Sequence, residues 1–276
     1  MALYLKLKIK DLLTNAELLG WGVGFIEFWV FMWLFVFTPE FEAEGVWRTY
    51  LINTNMAVAY SFLGLLSMAS VAIGLAYSIF YASRAARYMT KFTRIRPAAF
   101  LAEDFAASLT VILIIVAVIV FSVIGGTYAK WGVTPSVENP AGVFADLLLG
   151  GVALYWLSYM LALTIIVTRR TRALTMAGFI PLILAFVAYA QLWVDFGSLV
   201  YLVPLSTLPA LTIYHSTGAI PPTGAYLKWL MGVEMLQAVN LRVAAASLFA
   251  WIAVFAAASL ALLRKSRGVP IEELRF

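Results

Sequence analysis

The chain has 276 residues, of which 63% are hydrophobic and 12% charged, with a formal net charge of +5 and no cysteine. Soluble domains are roughly half apolar and a quarter charged, so this excess of Leu, Ala, Val, Phe and Trp excludes a water-soluble globule and implies an integral membrane protein. Without cysteine there are no disulfides, no thiol catalysis and no cysteine metal ligands, and in such a chain basic residues report topology, so no nucleic-acid partner is expected.

The opening MALYLKLKIKDLL runs into acidic and polar residues with no small-residue cleavage site, so a removable signal peptide is not expected. KLKIK alternates as a strand would, yet Lys6 and Lys10 share a helical face, and residues 1–18 are predicted to form an interfacial helix. Six stretches then meet the length of about 20 apolar residues that a bilayer core requires: 19–38, 56–82, 105–126, 147–168, 173–194 and 243–263. Only Glu27 brings an ionisable group inside one of them. Between the second and third stretches, 83–104 is predicted to be a cytosolic loop rich in bases: Arg84, Arg87, Lys91, Arg94 and Arg96. With the N-terminus cytosolic, fifteen Lys and Arg fall on the cytosolic face and four on the other, which predicts a multi-pass protein of the cell membrane with both termini cytosolic. Residues 196–241 hold apolar runs too short to span, bent at Pro204 and Pro209 and parted by HSTGAIPPTG. They read as a re-entrant outer hairpin, tolerated only where other protein covers the open backbone groups. The whole chain, 1–276, is one transmembrane domain.

Several residues invite a functional reading beside a structural one. Glu27, in WGVGFIEFWVFMW, either fastens the first helix to a neighbour or belongs to a substrate path, since intramembrane acids are costly and often functional. His215, the single histidine, reads as a solvated loop residue, and no metal site is expected around it. Asp195 and Arg242, at the two ends of the outer excursion, are expected to form a structural ion pair. Small residues along the second helix, among them Gly64, Ser67 and Gly74, signal close helix packing. Trp21, Trp47, Trp131, Trp193 and Trp229 are expected in interfacial belts.

The layout resembles the permease subunits of type-2 ABC transporters, of the exporter class, over nearly the whole chain. The features that carry the resemblance are the basic segment before helix 1, a long helix 2, RYMTKFTRIRPAAFLAEDF leading into helix 3, the large outer element between helices 5 and 6, and the basic tail RKSRG. The resemblance implies six transmembrane helices, an N-terminal connecting helix, and a cytosolic coupling helix between helices 2 and 3 that docks on an ATPase. Arg94, Arg96, Pro97, Phe100, Glu103 and Asp104 would belong to that coupling element, with Phe100 as its apolar anchor. It also implies a central cavity lined by helices 2 and 5, so that Tyr60, Ser67, Phe186, Tyr189 and Gln191 would face an amphipathic or hydrophobic cargo. The partners implied are a second permease, identical or homologous, and two ATPase subunits that carry ATP and Mg. This chain has no G-x-x-x-x-G-K-[ST] loop, so no nucleotide cofactor is expected on it and no catalytic residue is assigned. Two rivals are an intramembrane lipid-modifying enzyme, which would need a nucleophile and a base, and an ATP-independent carrier or assembly subunit.

Overall fold

The computed structural model describes residues 2–92, 97–232 and 236–266, and among them the chain is helical, with two isolated β-bridges and no strand. Six helical segments are long and apolar enough to cross a membrane: Ala16–Phe37, Gly45–Ser83, Ala99–Trp131, Pro140–Thr168, Thr171–Leu192 and Leu241–Lys265. The six expected spans are all present. The second, third and fourth begin well before the apolar runs that revealed them, which draws polar residues into the bundle.

Helix α1 (Ala2–Thr14) precedes the first span and packs on the start of the third. Asn15 separates it from α2 (Ala16–Leu19) by accepting a hydrogen bond from the Leu18 N–H at 3.0 Å, an ordinary helix-starting cap. The first span continues through a widened turn at Gly20–Gly24 into α3 (Phe25–Phe31) and ends in a second widened turn at Met32–Phe37. The remaining helices are α4 (Gly45–Phe92), α5 (Pro97–Trp131), α6 (Pro140–Thr168), α7 (Leu174–Gly178) with α8 (Ile180–Tyr189), α9 (Leu208–Thr217), α10 (Tyr226–Leu230) and α11 (Leu241–Lys265).

The span within α4 is the axis of the bundle: 94% of it is buried inside the protein, against 28% for the first and fifth spans and 17% for the sixth. Helices in lipid gain no hydrophobic drive from pairing, so they associate where small side chains let backbones approach. Gly64 admits Leu147 of α6 and Gly74 admits Leu18. A Cβ on Gly22 would sit 2.3 Å from a Val71 methyl, and beside it the Ser67 hydroxyl donates to the Gly22 carbonyl. The small residues of helix 2 are therefore packing residues, as their spacing suggested.

At the base of the bundle, α4 stays helical through Phe92 and α5 begins at Pro97. The stretch expected as a loop with a short helix of its own is thus mostly the ends of two long helices. Nothing in 84–92 breaks a helix, and Pro97, whose missing N–H is harmless in a first turn, opens α5 itself. Arg94 and Arg96 lie outside the described residues.

Between the fifth and sixth spans, α9 is too short to cross a membrane and is buried against α4, α6 and α11. It is received by a stripe on α6 in which Gly142, Asp146 and Gly150 recur every fourth residue and so share a face. A Cβ on Gly150 would lie 2.4 Å from Leu208 Cδ2, so a larger residue there would have to push the Leu208 side chain of α9 aside. The backbone N–H groups of Glu138 and Asn139 donate to the carbonyls of Ser216 (2.9 Å) and His215 (2.8 Å), which ties the end of α9 to the start of α6.

Two expectations about this end are corrected. Asp195 makes no ion pair with Arg242 among the described residues; its Oδ1 accepts from the Thr223 hydroxyl (2.5 Å) and the Gly197 N–H (3.0 Å), while Arg242 stays exposed. Neutral donors close at hand satisfy the carboxylate without desolvating an arginine. Trp131 is not in an interfacial belt but buried, with Phe41 at 5.7 Å and Lys130 Nζ 4.6 Å from its ring centre.

Candidate functional site

The residues implicated as a coupling element gather around α1. Phe100 and Asp104, one helical turn apart on α5, share the face that α1 covers. The Phe100 ring lies 4.7 Å from that of Tyr4 and only 7% of the residue is exposed, so it is an internal packing residue rather than a projecting anchor. Glu103 sits beside this face, partly exposed. Asp104, 2% exposed, accepts hydrogen bonds from the hydroxyls of Tyr155 (3.0 Å) and Tyr4 (3.3 Å).

Lys8, 7% exposed, faces the same carboxylate at 3.9 Å and donates to the Ser78 hydroxyl of α4. Lys6 and Lys10, on the opposite face of α1, are exposed. Burial, aided by the Asp104 charge, pushes the Tyr4 hydroxyl well above the ordinary tyrosine range, so it remains a donor at any physiological pH. One buried charge pair with three neutral partners, Tyr4, Tyr155 and Ser78, therefore joins α1, α4, α5 and α6. Removing Lys8 would strand the Asp104 carboxylate in a dry site, which is far costlier than never having had the pair, whereas Lys8 also has the exposed Asp11 carboxylate 4.0 Å away.

At the other end His215 is not on a loop but in the last turn of α9, with Nδ1 2.6 Å from Asp146 Oδ2 on α6. A Cβ on Gly142 would lie 2.6 Å from the imidazole, so the ring rests on bare α6 backbone. Among the described residues no hydroxyl is hydrogen-bonded to the other ring nitrogen.

The residues expected along a substrate path are divided. Tyr60, Ser67 and Gln191 are fully buried by the chain's own side chains, Tyr189 is half-buried against Phe62 at 5.8 Å, and Phe186 is exposed. Gln191 Nε2 donates to the Ser206 carbonyl at 2.9 Å, while its oxygen and the hydroxyls of Ser206 and Tyr226 have no protein partner among the described residues and the Tyr60 and Ser216 hydroxyls face each other. Glu27 lies half-buried near Ser122 of α5, with one carboxyl oxygen buried and without a hydrogen bond. Around it, Trp21, Phe25, Phe28, Phe31 and Phe35 are exposed.

Sequence reasoning overlooked Lys8, Asp146 and Lys130. The Lys130 ammonium is held by the carbonyls of Leu34 (2.7 Å) and Thr38 (2.5 Å), capping the end of the first span. The four-residue spacing Gly142, Asp146, Gly150 was the available signal for the α9 seat. Among the described residues no group of acids and histidines could hold a metal. The chain matches no protein-family model and no curated protein sequence.

Proposed function

We propose that this chain is the permease half of an ATP-driven exporter of the type-2 ABC class, which works with a second permease, identical or homologous, and two cytosolic ATPase subunits carrying ATP and Mg. Its cargo is hydrophobic or amphipathic, and the machine sits in the cell membrane with both termini of this chain cytosolic. One observation carries the reading: Lys8, Asp104, Tyr4 and Tyr155 hold α1 against the first turns of α5, the helix that opens at Pro97. A partner pressing on α1 or on the start of α5 would move α1 and three spanning helices together. Transmission through packed elements of this kind is what alternating access requires.

At the far end α9 acts as the outer re-entrant element and the buried polar atoms of Gln191, Ser206 and Tyr226 line the route that opens when α9 shifts. Such groups are expensive to leave unpaired, which favours a second arrangement in which cargo or water meets them. The lipid-modifying enzyme is the weaker reading, because His215, although oriented by Asp146 as a catalytic base would be, has no hydroxyl nucleophile bonded to it among the described residues.

The test is co-expression with the ATPase encoded nearest to this chain's reading frame, followed by purification through a tag on this chain. A stable complex whose hydrolysis is altered by the permease is expected. A well-folded chain that purifies alone, with no effect on any neighbouring ATPase, would falsify the proposal.

A further inference from the structure

The last two turns of α6 and the broken start of the fifth span leave a groove between them. It measures about 560 Å³, opens along one side, and is lined by Leu161, Ile165, Ala177 and Ile180, with Arg170 among its residues. The chain makes this space by interrupting the fifth span: α7 stops at Gly178 and α8 restarts at Ile180 with Pro181, which has no N–H to give, in its first turn. Thr164 and Thr168 also reach the groove, but their hydroxyls are taken by their own helix at 2.8 Å and 2.7 Å, so they offer it mainly methyl groups.

Arg169, Arg170 and Arg172 crowd the turn beside the groove, and all three are exposed. Among the described residues none has a carboxylate partner, and no acidic residue occurs anywhere between Asp146 and Asp195. Cations that are largely buried here are compensated, Lys8 by Asp104 and Lys130 by Glu40 and two carbonyls; exposed Lys6, Lys10 and Arg242 also lack a carboxylate among the described residues, and Arg170 is set apart by the apolar slot it lines. Setting orientation requires only positive charge near a span, not an apolar slot beside it. An apolar slot with an uncompensated guanidinium at its edge matches a ligand that has a hydrocarbon chain and an anionic head. Guanidinium groups suit phosphate oxygens, and basic pockets between spanning helices hold anionic lipids.

We infer that this groove is a binding site for one phosphate-bearing membrane lipid, with a chain along Leu161, Ile165, Ala177 and Ile180 and the headgroup at Arg170. The site stands whether or not the protein is an exporter.

Native mass spectrometry of the purified chain, taken through graded delipidation in equal mixtures of phosphatidylglycerol and phosphatidylcholine, tests it. One phosphatidylglycerol per chain should outlast phosphatidylcholine, and Arg170→Gln should lower its retention about five- to tenfold. Ala177→Phe, which fills the groove without changing charge, should lower it comparably, and Lys6→Gln, on exposed α1, should not. If Ala177→Phe fails to fold by circular dichroism, Ile180→Trp is read in its place. Equal retention of the two lipids overturns the site. So does full retention in the groove-filling variant, which would mean headgroup attraction alone, or an equal loss in Lys6→Gln, which would mean diffuse charge. Unchanged retention in Arg170→Gln overturns it too.

Discussion

At the scale of single residues, the buried Lys8 and Asp104 show how context reassigns a charge. In sequence Lys8 is one of three lysines marking the cytosolic side, and Asp104 ends a polar stretch; folded, they neutralise each other beneath α1. Asp104→Asn should therefore destabilise the protein by about 2 kcal/mol, because the lysine stays buried with only the exposed Asp11 carboxylate, 4.0 Å away, as counter-charge. Adding Lys8→Met should recover most of that loss, since an unbranched apolar chain fills the same space. Thermal unfolding in detergent reads both. Equal and additive losses for the two substitutions would mean that the residues do not sense each other. Neither partner was legible beforehand, because pairing between the first helix and the third span depends on how far α5 extends below its apolar run, and apolar runs do not mark helix ends.

Among the elements, α9 is the one whose position rests on the fewest atoms. Its seat is a missing side chain at Gly150, a carboxylate at Asp146 and bare backbone at Gly142. Gly150→Leu should force α9 off α6, at roughly 1–3 kcal/mol by the usual cost of overpacking. Because the chain contains no cysteine, a single Ser216→Cys reports the movement: Ser216 is buried, so the thiol should react slowly with a maleimide in the native background and many times faster once Leu stands at 150. Unchanged reactivity would show that α9 does not depend on this seat. The prolines and short apolar runs made it legible that the described residues of 196–241 form no helix long enough to cross a membrane. Its depth was not legible, since depth is decided by glycines on α6 that look, in sequence, like ordinary members of an apolar span. The mistaken Asp195 and Arg242 pair has a similar cause: opposite charges at the ends of an excursion suggest a bond, but Thr223 and the Gly197 N–H are nearer donors.

For the molecule as a whole, alternation of the six spans puts the segments around Glu44, Glu138 and Ile220 at one end and α1 with the arginine turn at the other. Single cysteines at Glu44, Glu138 and Ile220 should react with an impermeant maleimide on intact cells, and cysteines at Lys6 and Arg172 only after permeabilisation. The opposite pattern would invert the protein and remove the site proposed for ATPase contact. The number of spans was legible because hydrocarbon thickness alone sets it; the order of burial was not, because every span is apolar whether it faces lipid or protein. That order has a consequence for how the chain is made. The central α4 precedes its neighbours α5, α6 and α9 in the chain, so they are synthesised after it. While the ribosome is still working, Ser61, Ser67 and Tyr60 face lipid or the insertion machinery, and a chain stopped after Phe92 would display the future interior as its outside. The early half of this protein therefore depends on the late half not for the apolar length to enter a bilayer but for cover over the polar groups it carries inside.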